Sequence, residues 1–243
     1  MLIFAQIFYN MKIYLISLLV SLLPFSLFSQ IYGSGSVTET VRSFEGLKSL
    51  EITGHFVVEL VQGDKDEVRI ITDDNIHQYV KTEVADGELK IFMEDKWYRK
   101  IRSRKLIVTV KDLESITNKG SGDIRSTGRF STGKLTVNLI GSGDMDLNPS
   151  VTELIVNLNG SGDISLLGNT MKLDLYQFGS GDIKAYNVQA NDVTLKATGS
   201  GNIKVFANVS LSGSTSGNGD VFYKGVATST ISASGSGEVI KEY

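Results

Sequence analysis

The chain has 243 residues, 41% hydrophobic and 21% charged, with a formal net charge of −3, enough for one sizeable domain or two small ones sharing a core. A balance this close to neutral supplies no strongly basic face, so nucleic acid is not an expected partner. Gly is frequent at 25, Pro scarce at 2 and Cys absent; without a collagen-type triplet this points to many tight turns, in a fold that cannot rely on disulfides.

At the N-terminus, Met11-Lys12 leads into the apolar run Ile13 to Leu23, followed by Pro24 and Leu27-Phe28-Ser29-Gln30. This is the layout of a secretory signal, with an apolar core of about 11 residues, short for a bilayer span. A signal peptide over 1–29 is expected, with cleavage near Ser29 and Met11 as an alternative start. Extending the apolar segment back to Leu2 leaves an uncleaved anchor as the other reading. No Cys follows the run, so a lipid anchor is not expected, and no later stretch reaches transmembrane length. The expected location of the exported protein is the periplasm, the outer-membrane surface or the medium.

Residues 30–115 read as irregular β-structure able to cap or extend the C-terminal half of the chain. Strand-like segments fall at 50–52, 56–60, 68–71, 88–92 and 106–110, and 74–84 could hold a short helix. Gly63-Asp64 and Asp86-Gly87 mark turns, the second a good hairpin signal. The segment 96–105 carries six basic residues and the single Trp of the chain. Lys96, Trp97, Arg99, Lys100, Arg102, Arg104 and Lys105 therefore form the best binding candidate, suited to an anionic glycan, lipopolysaccharide or a membrane surface through charge and aromatic stacking. The plainer reading is a solvated hairpin loop.

From residue 116 the chain repeats itself. The unit Gly-x-Gly-[Asp/Asn/Glu]-apolar starts at Gly120, Gly141, Gly160, Gly179, Gly199, Gly217 and Gly235, at intervals of 18 to 21 residues. Around each unit every second residue is apolar or Gly, as in Leu154, Val156, Leu158, Gly160, Gly162, Ile164 and Leu166, while the alternate positions are polar. Period two means strands with one buried face. One rung cannot bury that face alone, so the pattern predicts an all-β solenoid whose rungs of roughly 19 residues stack in parallel. Glycines on the inward parity mark a corner with no room for a Cβ or with positive φ. Ser and Asp beside them would fasten the bend through their own corner's backbone. Gln177 is a polar intruder on the inner row and must find a partner there.

These features together carry a resemblance. The opening Phe44-x5-Leu50-x-Ile52-x-Gly54-x-Phe56-x-Val58-x-Leu60-x-Gln62-Gly63-Asp64, then Asp86-Gly87-x-Leu89-x-Ile91, then the Gly-Ser-Gly-Asp-Ile series resemble the auto-transporter adhesin "head GIN" domain family over residues 40–243. The resemblance implies a right-handed β-helix and an envelope or surface location. It brings no catalytic residues, and the chain has no C-terminal membrane barrel to make a self-contained autotransporter.

The Asp column Asp123, Asp144, Asp163, Asp182, Asn202, Asp220 and Glu238 would stack carboxylates about 5 Å apart. Calcium on Asp144, Asp163 and Asp182 is one way to relieve the repulsion; hydrogen bonds to corner amides are the favoured one. The same spacing suits a retaining glycosidase pair, yet it is simply the rung repeat. His55 and His77 have no Cys or closely spaced carboxylate to form a zinc site or triad. Outward Tyr176 and Phe178 could stack on sugar or be covered by a partner. The resulting expectation is a non-catalytic adhesin-like or ligand-binding module without cofactor, its partner a glycan, lipopolysaccharide or another envelope protein. A carbohydrate-active β-helix enzyme and a purely structural envelope component are the alternatives.

Overall fold

The computed structural model describes residues 30–243; the expected signal peptide lies outside them. Two parallel strand ladders meet at a corner to form a β-solenoid. One ladder stacks Ser49–Gly54, Ser115–Gly120, the ends of Phe130–Gly141, Pro149–Gly160, Ile164–Gly179, Ile183–Gly199 and Ile203–Gly217, and finally Thr228–Gly235. The other stacks Val57–Gln62, Asp123–Thr127, Met145–Leu147, the beginnings of the long strands, Val221–Lys224 and Val239–Lys241.

The inward parity produces like-on-like rows. Leu50, Ile116, Val137, Val156, Leu175 and Leu195 are successive register partners. Facing them across the lumen run Val58, Ile124, Met145, Ile164, Ile183, Ile203 and Val221, and all of these side chains are buried. Branched aliphatics suit such rows because a pleated, fully dry surface rewards shape more than helix propensity. Gln177 does find its partner: Nε2 donates to Gly181 O at 2.6 Å. Asn118, fully buried at the equivalent position of an earlier rung, does likewise to Gly122 O at 2.6 Å.

The two corner glycines are needed for different reasons. A Cβ on Gly160 would lie 2.0 Å from Gly141 O, and its φ is +148°. A Cβ on Gly162 would lie 1.9 Å from Gly143 O, so here steric exclusion alone forbids a side chain. The rungs approach this closely because Gly120 O accepts both Ser142 N (2.9 Å) and Gly143 N (3.2 Å), a pattern repeated up the stack.

The first rung belongs to the N-terminal region. Ser49–Gly54 and Val57–Gln62 flank a corner, Gly54-His55-Phe56, that stacks directly on the corner of Gly120 and Gly122. Beyond it lies a further rung formed later in the chain: Glu88–Met93 pairs in parallel with Ser49–Gly54, and Arg104–Val110 with Val57–Gln62. Thus 49–62 is sandwiched between 88–110 and 115–127. The terminal rung is finished by antiparallel strands. Val80–Ala85 turns through Asp86 and Gly87, both at positive φ, into Glu88–Met93, as the hairpin signal predicts. Asp66–Asp73 pairs with Arg104–Val110 and with Val37–Phe44. Arg42 joins the two outer strands, donating from Nη1 to Val80 O and Thr82 Oγ1 and from Nη2 to His77 O. The short helix expected within 74–84 does not form; a single 3-10 turn, His77–Tyr79, precedes the strand Val80–Ala85, because Val80 and Val84 are claimed by the sheet.

Candidate functional site

The basic segment is not a hairpin loop. It joins Glu88–Met93 to Arg104–Val110, strands of the two ladders, and so occupies the corner position of the terminal rung. From Gly120 onward that corner is a tight Gly-x-Gly; here it swells to residues 94–103. The enlargement explains Phe56, which stands where the second corner glycine would be. A Cβ on Gly54 meets nothing within 4 Å, unlike its counterparts up the stack. With no tight corner seated on this rung, Phe56 can carry a large side chain, and it is 1% exposed.

Three sets of contacts hold the swollen corner. Ile31–Tyr32 pairs in parallel with Tyr98–Arg99, with Ile31 N donating to Trp97 O (2.8 Å) and Gly33 N to Arg99 O (2.9 Å). The Tyr98 ring meets Tyr79 edge-on at 5.7 Å, and its hydroxyl donates to Glu94 O at 2.7 Å; burial pushes that phenol up to about 12. The third is Asp73, a fully buried carboxylate. Its Oδ1 accepts Gly35 N and its Oδ2 accepts Arg102 N, each at 2.7 Å. Burial works to raise the Asp73 pKa, but the amides of Gly35, Arg102 and Ser103 outweigh it and hold the group below the ordinary carboxylate value.

The seven expected binding residues separate on this frame. Lys96 pairs with Glu94 at 2.9 Å and lies 4.9 Å from the Tyr79 ring centroid. Lys105 pairs with Glu59 at 2.7 Å. Arg104 is half-buried, and its Nε meets no acceptor. Arg99, Lys100 and Arg102 are exposed and make no ion pair among the described residues, and Trp97 beside them is 64% exposed. Four residues thus remain free to meet a ligand, while three help to build the rung. Asp73 and the strand Ile31–Tyr32 escaped sequence reasoning: one is an acid beside another at a strand end, the other two residues in a polar stretch.

The Asp column runs down the neighbouring corners, and its bonds differ from expectation. From Asp123 to Asp220 each side chain reaches the following rung and not its own corner. Asp163 N donates to Asp144 Oδ1 (2.9 Å), Asp182 N to Asp163 Oδ1 (2.9 Å), and Asn202 N to Asp182 Oδ1 (2.8 Å). The backbone carbonyl of each acid is already taken by the apolar residue of the rung before, as in Met145 N to Asp163 O. The side-chain oxygen therefore supplies the acceptor that the bent backbone lacks. Asn202 fits the column because only Oδ1 is required, and it passes the bond on to Asp220 N at 2.9 Å. Among the described residues no group of three or more His, Cys, Asp or Glu could hold a metal ion. Asp182→Asn is accordingly expected to be near neutral. Asp182→Ala, which strands the Asn202 amide, should cost about 1–2 kcal/mol in denaturant melts. Calcium or a chelator should leave the Tm of the native protein unchanged.

The histidines are separated. His55 Nδ1 meets Ser121 Oγ at 3.1 Å on the next corner, and His77 Nε2 meets Thr38 Oγ1 at 2.9 Å. Tyr176 and Phe178 are outward and partly exposed, and Ile140 stands two rungs before Phe178 in the same outer column.

Residues 46–227 match the family described as "Putative auto-transporter adhesin, head GIN domain". The chain belongs to this family. A crystal structure of a "putative adhesin" from Bacteroides fragilis is similar at a TM-score of 0.82 and 24% identity, covering 87% of this chain and 100% of that one. A "putative lipid binding protein" from Parabacteroides distasonis is similar at a TM-score of 0.68 and 23% identity, covering 88% of this chain and 100% of that one. A "putative adhesin" from Parabacteroides merdae gives 0.66 and 21%, covering 88% and 99%. At these identities the likeness is one of fold: the head GIN domain is a β-solenoid. No curated relative matches the sequence. Among the described residues no helix is long and apolar enough to cross a membrane.

Proposed function

We propose that this protein is a non-catalytic, exported envelope module that uses the swollen corner of its terminal rung to bind an anionic surface of lipopolysaccharide, acidic glycan or lipid headgroups. The observation that carries the reading is the triad Arg99, Lys100 and Arg102, unpaired beside exposed Trp97 on a corner pinned by Asp73. A chain whose net charge is negative gains nothing in folding from free cations crowded at one end, whereas an anionic partner does. The names given to the solenoids of Bacteroides and Parabacteroides, adhesin and lipid binding, support a binding duty over a catalytic one.

Binding of the native protein to lipopolysaccharide and to vesicles containing phosphatidylglycerol should weaken as salt rises. A cation near an anionic surface is worth about 1 kcal/mol. Combining Arg99→Gln, Lys100→Asn and Arg102→Gln should therefore lower affinity on the order of a hundredfold. Asn is chosen because Lys100 has φ +55°, a conformation Asn accepts. Binding that survives this triple change, or that ignores salt, would sink the proposal.

A further inference from the structure

At the edge opposite the Gly-Ser-Gly corners, where the chain passes from one ladder to the other, lies an open groove of about 430 Å³. Its polar lining is entirely hydroxyl and carboxamide, with no charged side chain. The amides of Asn169, Gln189, Asn191 and Asn208 come from three successive strands, and Met171, 58% exposed, lies among them. We infer that this groove is a binding site for an uncharged glycan chain, laid across the rungs and separate from the basic corner.

Elsewhere the molecule shows what purely structural amides look like. Asn157 Nδ2 donates to Asn138 Oδ1 (2.8 Å), whose own Nδ2 donates to Thr117 Oγ1 (3.0 Å), a ladder that satisfies itself. In the groove the amides are left open. The Gln189 and Asn208 side chains bond to no described residue, Asn191 Nδ2 meets only the Met171 sulfur at 3.6 Å, and Asn169 accepts one Ser150 hydroxyl at 3.2 Å. A carboxamide offers two donors and an acceptor together, the mixture that ring hydroxyls require. Met171 supplies apolar surface for the C–H faces of a sugar.

Charge and backbone exclude the competing ligands. The cations bordering the groove are each cancelled, Lys134 by Glu153 at 3.3 Å and Lys172 by Asp174 at 2.7 Å, and the remaining carboxylate, Asp192, accepts Ser210 Oγ at 2.6 Å, so no free cation there selects an anion. An extended peptide docks by adding to an exposed sheet edge, but the two inner strands have partners on both sides, Asn169 with Ser150 and Gln189, and Ala190 with Thr170 and Ala207. The volume falls within the range of about 300–1,000 Å³ usual for ligand sites, and the open shape suits a chain more than an enclosed small molecule.

The test titrates the native protein with dextran, mannan, xylan and soluble β-glucan while following the side-chain amide signals of Gln189, Asn191 and Asn208 by NMR. At least one polymer should shift those signals, and salt should leave its Kd unchanged. The paired substitutions Gln189→Leu and Asn191→Leu should raise the Kd at least tenfold, while the triple variant of the basic corner binds as the native protein does. Met171→Lys, a change at an exposed side chain, guards against misfolding of the Leu variant and should abolish binding with Tm retained. Absence of binding by all four polymers, shifts confined to other residues, loss of binding in the basic-corner variant, or a peptide displacing the glycan would each overturn the inference.

Discussion

Gly162→Ala, the addition of one methyl group, is expected to disrupt the solenoid. The new carbon would sit 1.9 Å from Gly143 O and 2.8 Å from Gly143 C, and both belong to backbone fixed by the ladder. Overpacking a core costs about 1–3 kcal/mol when side chains can move aside. Here only a rung can move, and shifting it would break the Ser161 and Gly162 amide bonds to Gly141 O. A loss of about 3 kcal/mol or more is expected, seen as a lower denaturation midpoint or as failure to accumulate folded protein. Gly133→Ala is the control: its Cβ would meet nothing within 4 Å and its φ is not positive, so stability should be unchanged or slightly raised. Equal effects of the two substitutions would disprove the steric account.

The second large effect belongs to Asp73→Ala. It removes the acceptor of the Gly35 and Arg102 amides and is expected to cost about 2–4 kcal/mol, since each abandoned backbone donor costs about 1–3. No residue of the Arg99, Lys100 and Arg102 triad changes, yet binding to anionic vesicles should fall, because the corner that presents the triad loses its anchor. Part of the pH dependence stems from the same group. Asp73 and Asp163 both titrate below the ordinary carboxylate value in the folded protein. For Asp163, burial opposes the shift, and the Lys184 ammonium at 2.6 Å and the Asp182 amide overcome it. The unfolded chain therefore takes up protons first on acidification, so the stabilisation is complete above about pH 5 and is lost as pH falls through the folded values. Asp73→Ala should flatten this acid limb of the stability curve; a limb of unchanged steepness would show that Asp73 contributes little to it.

Much of the fold is legible in the sequence because a solenoid states its core once per rung. Parity around Gly160 and Gly162 is enough to place inward rows, outward rows and corner. The first rung hides because its corner reads Gly54-His55-Phe56, and only the absence of a tight corner above explains the aromatic. The terminal rung hides because 88–110 stacks on 49–54 and 57–62 without sharing the glycine signature, and no local periodicity reveals a segment folding back past its predecessor. The basic cluster is plain in sequence. Its division into free Arg99, Lys100 and Arg102 against paired Lys96 and Lys105 depends on Glu94 and Glu59, the second of which is far from its partner in the chain. The amide groove is invisible for a related reason: Asn169, Gln189, Asn191 and Asn208 look like ordinary loop residues until the register sets them side by side.

The sandwiching of 49–62 between 88–110 and 115–127 has a kinetic consequence. In the repeats, Val137 meets Val156 only 19 positions away, whereas Leu50 must meet Ile116 across 66. Closing the longer loop costs about 1 kcal/mol more in chain entropy, and the intervening segment must itself fold for the lumen to be sealed. Assembly should therefore start among the C-terminal rungs and zip toward the N-terminus, with amides of 88–110 acquiring hydrogen-exchange protection last. The end that carries the cationic corner is then also the end that opens most readily, so an anionic partner seated there would act as a latch on the whole stack.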